Sequence, residues 1–319
     1  MKRAAFATLS LALCFSGCSY FDHQSSVDLY LKGQLEVEKG HLPNALANLS
    51  EAIKKNPRMG LAYIARGEIY KKQGAYEEAA KDFESAVKLE PYNFTANYQL
   101  GVVYQYLKKF AQAVVAYQRA VEIRPLDNDA NMNLAMTYVQ LGEPLRGLPY
   151  AQRAVQGNDS SAMAHANLGM LYSQIGYSSA AIDAFKRSLE LDSKQPEVYA
   201  ELAQEYLSDK KFDQARNVLE TGRQLAPSAK ISDRLGYAYH MLRDEDKASD
   251  AFHESLKIDP KYYPALNGLG VLAMTKALST SPTDVDLAKE AISYWNQSLT
   301  INPKQDAIRQ LVNTYTPPQ

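Results

Sequence analysis

Apolar, aromatic and small residues recur along most of this chain at intervals of three or four, the spacing of one face of an α-helix. In the segment 60–93 two such faces follow one another and end at a proline; the positions are Tyr63, Gly67, Tyr70, Ala79, Phe83, Ala86 and Pro91. Proline disfavours the continuation of a helix, because it lacks the amide donor and its ring clashes with the preceding turn. The pattern therefore predicts a unit of two helices, with a new unit beginning after the proline.

The same arrangement returns at an offset of 34 residues and occurs eight times between residues 26 and 305. The unit that follows 60–93 carries Leu100, Gly101, Tyr104, Ala113, Tyr117, Ala120 and Pro125. Small side chains at the positions of Gly67, Ala79 and Ala86 let two antiparallel helices approach closely, and the larger side chains fill the space between turns. Residues 26–305 are therefore predicted to form one series of helix pairs.

These positions resemble the consensus of the tetratricopeptide repeat (TPR), with Arg66 in the place of its leucine. The resemblance implies an all-α fold: a right-handed superhelical solenoid of about eight TPR helix-turn-helix repeats. The segment 306–319 is predicted to add a C-terminal capping helix over Asp306 to Tyr315 and a short tail. Such a helix is expected because a solenoid must cover the apolar face of its last repeat.

Two repeats depart from the pattern. Repeat four has Pro144 and Pro149 in its second helix, and a proline one turn inside a helix costs about 3 kcal/mol, which predicts a kink or a late start. The region is either a hinge or simply a degenerate repeat. Repeat eight carries about nine extra residues between its helices, near 278–284, where serine, threonine and proline predict a projecting loop.

The first 17 residues have the organisation of a secretory signal peptide, because Lys2 and Arg3 precede an apolar run too short to cross a bilayer. The run ends in the letters FSGC at 15–18, which resemble the lipobox of bacterial lipoproteins. That resemblance implies cleavage before Cys18, a lipid anchor on its thiol, and a lipidated N-terminus and short tether over 18–25. An ordinary cleaved signal is the alternative. Ser19, where an aspartate would retain a lipoprotein in the inner membrane, favours the outer membrane, facing the periplasm.

Charge and motif content argue against several functions. The net charge is -1, and the lysine pairs are scattered instead of forming the basic stripe that nucleic acid requires. The five histidines have no second ligand at metal-site spacing, and no nucleophile motif stands out. We expect no metal, no small-molecule cofactor and no enzymatic activity.

In TPR proteins the first helix of each repeat lines the concave face, so the resemblance also implies candidate groove residues. In repeats three to five these are Tyr98, Gln99, Gln105, Tyr106, Met132, Asn133, Met136, Gln140, Asn167, Met170 and Gln174. Gln99, Asn133 and Asn167 recur at one-repeat spacing, so stacking is expected to align their amides for pairing with a peptide backbone. The alternative is that an amide before Leu-Gly is ordinary repeat consensus. Flexible methionines would adapt to varied apolar side chains.

Chaperone-binding TPR domains hold a terminal carboxylate in a basic clamp, and this clamp is not assembled here. Lys230 and Arg234 share a helix face in repeat seven. Asp233 stands beside them and offsets much of their field.

The resemblance implies a non-enzymatic protein-protein interaction scaffold, anchored to the bacterial envelope, that binds extended peptide or partner helices in its groove. The chain resembles TPR lipoproteins that serve the assembly of a pilus or secretion complex, and that role is the one expected here. Two other roles fit the same features: an adaptor for peptidoglycan enzymes, and a structural lipoprotein that associates with itself.

Overall fold

A computed structural model describes residues 25–280 and 284–316, and every regular element in these residues is an α-helix. The predicted all-α class and series of helix pairs are confirmed. The predicted signal peptide, the lipidation site Cys18 and the tether up to residue 24 lie outside the described residues. Among the described helices none is long and apolar enough to cross a membrane.

The chain divides into two compact units, one ending at Asn158 and the other beginning at Asp159. Unit 1 contains the helices α1 (25–38), α2 (Leu42–Lys55), α3 (Gly60–Lys72), α4 (Tyr76–Leu89), α5 (Phe94–Tyr106), α6 (Phe110–Ile123), α7 (Asn128–Gln140) and α8 (Pro144–Gly157). Unit 2 contains α9 (Ala162–Gln174), α10 (Ser178–Leu191), α11 (Pro196–Ser208), α12 (Phe212–Leu225), α13 (Ala229–Met241), α14 (Glu245–Ile258), α15 (Tyr263–Ser279), α16 (Val285–Ile301) and α17 (Asp306–Tyr315). Odd-numbered helices up to α15 are the first helices of the repeats and even-numbered ones are the second.

Small residues at fixed positions of the repeat let the two helices of a pair pack closely. A Cβ atom added to Gly101 of α5 would lie 2.6 Å from the Tyr117 ring of α6, closer than carbon atoms pack. Gly169 and Phe185 repeat this relation in unit 2, also at 2.6 Å. The rings of Tyr117 and Phe185 are buried between their helices, which is the packing that the sequence pattern predicted.

The turn after most first helices holds a residue in the left-handed region of backbone space. These residues are Gly40, Gly74, Lys108, Gly142, Gly176, Lys210 and Arg243, with φ between 56 and 80°. Glycine adopts this conformation without steric cost, whereas a residue with a Cβ does not. Lys108, Lys210 and Arg243 therefore occupy positions whose backbone favours glycine.

Repeat four keeps a full second helix. The predicted late start is wrong, because α8 begins at Pro144 and continues through Pro149 to Gly157. Pro144 occupies the first turn, where a missing amide donor has no helical partner to lose. Gly147 stands where other repeats have alanine, and it faces α7. A Cβ atom at this position would lie 2.7 Å from the carbonyl oxygen of Ala135, so glycine allows the two backbones to approach closely. A hinge at Pro149 stays a prediction.

The extra residues of repeat eight are found mainly in its helices. Helices α15 and α16 each span 17 residues, against 13 and 14 in the preceding repeat. The extra residues therefore add about one turn to each helix, which corrects the expectation that they form a projecting loop. Residues 281–283, between the two helices, lie outside the described part of the chain. Asp284 starts α16 by accepting hydrogen bonds from the amides of Asp286 and Leu287.

The predicted capping helix is α17. Its apolar face packs on α15 and α16 around Trp295, whose side chain is 1% exposed and whose ring centre lies 6.2 Å from that of Tyr315. Ile308 and Leu311 complete this contact. The helix covers apolar side chains that the last repeat would otherwise expose to water.

Candidate peptide-binding surface

Five of the predicted groove residues meet around one concavity of unit 1. It has a volume of about 420 Å³ between the adjacent first helices α5 and α7. Its lining residues are Tyr98, Val102, Gln105, Tyr106, Asn133 and Gln140. They converge because the repeat spacing places equivalent turns of neighbouring first helices side by side. We refer to this concavity as the unit 1 groove; Gln99, Met132 and Met136 do not line it.

Most amides of this region bind other side chains of the protein. The Nδ2 of Asn133 donates to the hydroxyl of Tyr98 at 3.0 Å. Gln99 accepts from the Nζ of Lys71 at 2.6 Å, through its Oε1. Each of these bonds joins first helices of successive repeats. The amides therefore fasten the repeats together, a role that the sequence did not suggest.

Gln105 and Gln140 differ in what they offer a ligand. Gln105 donates to the Oγ1 of Thr137 and accepts from the hydroxyl of Tyr117, both at 2.7 Å, so its amide is occupied. Gln140 is exposed and forms no hydrogen bond within the described residues. Gln140 is thus the amide of the groove that is free to pair with a peptide backbone.

Two tyrosines supply most of the aromatic wall. Tyr106 is 59% exposed and stacks on Tyr76 of α4 with 4.5 Å between ring centres. Tyr98 is half-buried and stacks on Phe94 at 5.7 Å. Burial raises the pKa of the Tyr98 hydroxyl, and the nearby carboxylates of Asp129 and Asp127 raise it further. The wall is aromatic and uncharged, so it can contact a peptide without requiring an ionic partner.

The methionines are less available than expected. Met132 is only 7% exposed and belongs to the interior of unit 1, so it cannot serve as an adaptable surface side chain. Met136 is half-buried. Met132 stands one repeat after Tyr98, so the period alone did not distinguish its inward-facing position from a groove-facing one.

The remaining predicted residues lie in unit 2, on α9. Asn167 is half-buried, Met170 is 39% exposed and Gln174 is exposed. Their spacing of three and four places them on one face of that helix, together with Met163, which is 72% exposed. Because Asn167 belongs to the other unit, a continuous row with Gln99 and Asn133 stays a prediction.

A second concavity was missed by the sequence reasoning. It lies within unit 2, along the first helices α11, α13 and α15, and its volume of about 630 Å³ exceeds that of the unit 1 groove. Polar residues lining it include Asp233, Arg234, His240 and Asn267. The sequence signal was present in repeat seven, where Asp233 was interpreted only as cancelling its basic neighbours. In the part of the chain that the structure describes, this pocket included, no group of three His, Cys, Asp or Glu side chains is placed to hold a metal ion.

Sequence models described as the tetratricopeptide repeat match residues 30–94, 95–126, 163–195 and 229–262. Together these matches cover about half of the 319 residues. The chain belongs to the tetratricopeptide-repeat family. TPR proteins are in general non-enzymatic scaffolds for protein-protein interaction, and this coarse function is what membership indicates. No curated protein sequence matches the chain.

Solved structures support the TPR fold. The C-terminal part of a TPR repeat-containing protein from Cytophaga hutchinsonii aligns with a TM-score of 0.61 and 15% identity over 78% of this chain and 99% of that one. A tetratricopeptide repeat protein from Parabacteroides merdae gives 0.55 and 20% identity over 78% and 99%. A chain of the APC/C hetero-tetramer Cut9-Hcn1 gives 0.57 and 18% identity over 86% of this chain; the present chain spans 52% of its length, about half.

A further feature not anticipated from the sequence is a pair of buried asparagines, Asn97 and Asn131, next to the turns between repeats. The Nδ2 of Asn97 donates to the carbonyl oxygens of Pro91 and Asn93, at 3.0 and 2.8 Å. Asn131 makes the same two bonds one repeat later, at 2.8 Å each, to Pro125 and Asp127. These bonds tie the first turns of α5 and α7 to the turns that precede them, and these are the two helices that line the unit 1 groove. Their recurrence at one-repeat spacing was the available signal.

Proposed function

We propose that the chain is an envelope-anchored scaffold that holds an extended segment of a partner protein in the unit 1 groove. The observation that carries this proposal is the convergence of Tyr106, Val102 and Gln140 on one concavity. An exposed aromatic ring, an apolar floor and an unpaired amide are the three kinds of contact that an extended peptide uses.

The location rests on the N-terminal sequence. The FSGC letters at 15–18 resemble a lipobox, and Ser19 favours transfer to the outer membrane with the repeats facing the periplasm. A tether of about seven residues reaches at most roughly 25 Å, which would keep the repeats near the membrane. We therefore propose a lipid anchor on Cys18 and, from the resemblance to TPR lipoproteins, a role in assembling a pilus or secretion complex.

Photocrosslinking in intact envelopes tests the groove. A benzoylphenylalanine in place of Tyr106 would stand inside the groove, and the same residue in place of Tyr92, which is 87% exposed and does not line it, is the matched control. We expect Tyr106 to yield a defined adduct that Tyr92 does not yield. Equal capture from both positions would show that the groove is not the binding surface.

A side-chain substitution tests the mode of contact. Gln140→Ala should weaken the Tyr106 adduct by about threefold to tenfold, the effect of losing one or two hydrogen bonds to a peptide backbone. Gln112→Ala on α6, an exposed glutamine outside the groove, is the control and should leave the adduct unchanged. An adduct insensitive to Gln140→Ala would exclude backbone pairing by this amide.

The identity of the adduct tests the pathway. A pilus or secretion-channel component would support the proposed role, whereas a peptidoglycan enzyme or a second copy of this chain would favour one of the two alternative roles. Anchoring is tested separately: incorporation of labelled palmitate should disappear in Cys18→Ala. Retained labelling in that variant would refute the anchor.

A further inference from the structure

The larger concavity of unit 2 combines an apolar wall with a small group of polar side chains. Helix α13 contributes Asp233, Tyr237 and Met241, and α15 contributes Asn267 and Val271. Tyr237 is 45% exposed and Met241 39% exposed, so both present surface to a ligand. We call this concavity the unit 2 pocket.

Asp233 is the one carboxylate lining this pocket, and it has no partner. It forms no hydrogen bond or ion pair with any residue of the described part of the chain, although its carboxylate is largely enclosed by the protein. Burial raises the pKa of Asp233 to about 7, and the charge of Arg234 only partly opposes this rise. A carboxylate withdrawn from water in this way gains from a cationic ligand more than an exposed one does.

The basic side chains nearby are already committed to other groups. Arg234 lines the pocket, but its Nη1 donates to the carbonyl oxygen of Ala200 and lies 3.7 Å from Glu201. Lys230 pairs with Glu197 and Glu201, both at 2.7 Å. The charges of Lys230 and Arg234 are thus balanced by those of Glu197 and Glu201. The negative charge of Asp233 is the one that remains without a partner at this site.

Asn267 adds a second acceptor whose orientation is fixed. Its Nδ2 donates to the Oε1 of Gln305 at 2.8 Å, and Gln305 uses its own Nε2 to donate to the carbonyl oxygens of Ser298 and Asn302. Gln305 can therefore offer only its oxygen to Asn267, which assigns the amide orientation. The Oδ1 of Asn267 is buried and receives no hydrogen bond in the described structure. The Nδ1 of His240, which also lines the pocket, is likewise buried and has no hydrogen-bond partner in the described structure.

We propose that the unit 2 pocket receives an arginine side chain of a partner polypeptide, with the guanidinium between Asp233 and Asn267. Arginine carries five N–H donors and no acceptor, which matches unpaired acceptors, and its planar group stacks on aromatic rings such as Tyr237. Its aliphatic stem fits the apolar wall of Met241 and Val271. A C-terminal carboxylate does not fit, because it would meet Asp233. This inference rests on the proposed scaffold function and names the chemistry of a second contact.

Methionine-methyl NMR of the full-length chain provides a direct test, because Met241 reports from within the pocket. The probes are the pentapeptide acetyl-Ala-Ala-Arg-Ala-Ala-amide and the same peptide with citrulline, which keeps the shape of arginine without its charge. We expect the arginine peptide to shift the Met241 resonance in a saturable way, with the citrulline peptide binding at least about tenfold more weakly. No shift, or equal responses to both peptides, would overturn the proposal.

Three variants separate a specific contact from a disturbed fold. Asp233→Asn should weaken the arginine peptide by about tenfold or more, and Tyr237→Ala by a smaller factor. Asp250→Asn on α14, an exposed aspartate outside the pocket, is the matched control and should change nothing. Unshifted resonances of the buried Met132 and Met274, which do not line the pocket, confirm the fold of each free variant. Unchanged arginine affinity in a folded Asp233→Asn variant would refute the role of this carboxylate.

The two surfaces can fail independently. One outcome is that the arginine peptide does not shift the Met241 resonance, while the adduct at Tyr106 forms and is weakened by Gln140→Ala. That outcome would overturn the arginine pocket and leave the unit 1 groove intact. An arginine-dependent response at Met241 without any groove adduct would have the opposite meaning.

Discussion

The side-chain amide of Asn133 donates a hydrogen bond to the hydroxyl of Tyr98, 3.0 Å away, and thereby joins the first helices of repeats three and four. Both residues line the unit 1 groove. Tyr98 is part of the aromatic wall of the groove. The bond that stacks the two repeats therefore also positions a side chain of the binding surface.

This bond predicts a measurable coupling between the two residues. Asn133→Ala and Tyr98→Phe should each lower the free energy of unfolding by about 0.5–1.5 kcal/mol, because each removes one partner of a half-buried hydrogen bond. The double variant should lose less than the sum, since the bond can be lost only once. Urea denaturation of the four proteins gives the coupling directly. Strictly additive losses would mean that the bond contributes nothing to the folded state.

The pair formed by Arg66 and Asp82 predicts a larger effect. The guanidinium of Arg66 donates to both carboxylate oxygens of Asp82, at 2.8 and 2.7 Å, and only 6% of the Asp82 side chain is exposed. Removing one partner leaves the other charge enclosed without compensation. Arg66→Ala should therefore cost about 3 kcal/mol, measured by urea denaturation.

Leucine provides the matched comparison at this position, because it is the residue that the TPR consensus carries. With Asp82 retained, Arg66→Leu should be about as harmful as Arg66→Ala. Combined with Asp82→Ala, Arg66→Leu should recover much of the loss, since no unpaired charge remains. A double variant as unstable as the single ones would indicate that packing, not the buried charge, controls stability here.

The repeat pattern was sufficient to predict the helix pairs, their small contact positions and the capping helix, because these depend on spacing within about 34 residues. It could not predict the partner of Arg66, since Asp82 lies 16 residues away in another helix. It missed the unit 2 pocket for a related reason. Whether Asp233 is neutralised depends on where Arg234 points, and a sequence does not contain that direction.

The left-handed turn residues predict opposite effects for two exchanges. Lys108 has a φ of 56° at the turn between α5 and α6, and Gly74 has 76° at the equivalent turn between α3 and α4. Lys108→Gly should raise the free energy of unfolding by about 0.5–1 kcal/mol, because relief of backbone strain exceeds the entropy that glycine adds to the unfolded chain. Gly74→Ala should lower it by about 1 kcal/mol.

Thermal unfolding of these two variants is a clean comparison, since a Cβ at Gly74 would meet no atom within 4 Å. Any change there reports backbone conformation and not a clash. Lys81→Gly, in the middle of α4, is the control and should destabilise by about 1 kcal/mol, the ordinary cost of glycine in a helix. Destabilisation by Lys108→Gly of the same size would contradict the strain argument.

The enclosed carboxylate of Asp233 predicts how stability depends on pH. An aspartate releases its proton near 3.8 in the unfolded chain, whereas burial raises the pKa of Asp233 to about 7 in the folded protein. Between these values folding takes up a proton, so the contribution of this group is fully present below pH 3.8 and is lost as the pH rises through 7. Asp233→Asn removes that dependence.

The free energy of unfolding of this variant should therefore rise relative to that of the wild type between pH 5 and 8. The difference should reach about 1–3 kcal/mol, the cost of an enclosed unpaired group. Urea denaturation of both proteins at pH 5, 6, 7 and 8 measures the difference, and other titrating groups cancel because they are shared. A difference that stays constant over this range would show that Asp233 ionises freely in the folded protein, and it would remove the electrostatic reason for an arginine at the unit 2 pocket.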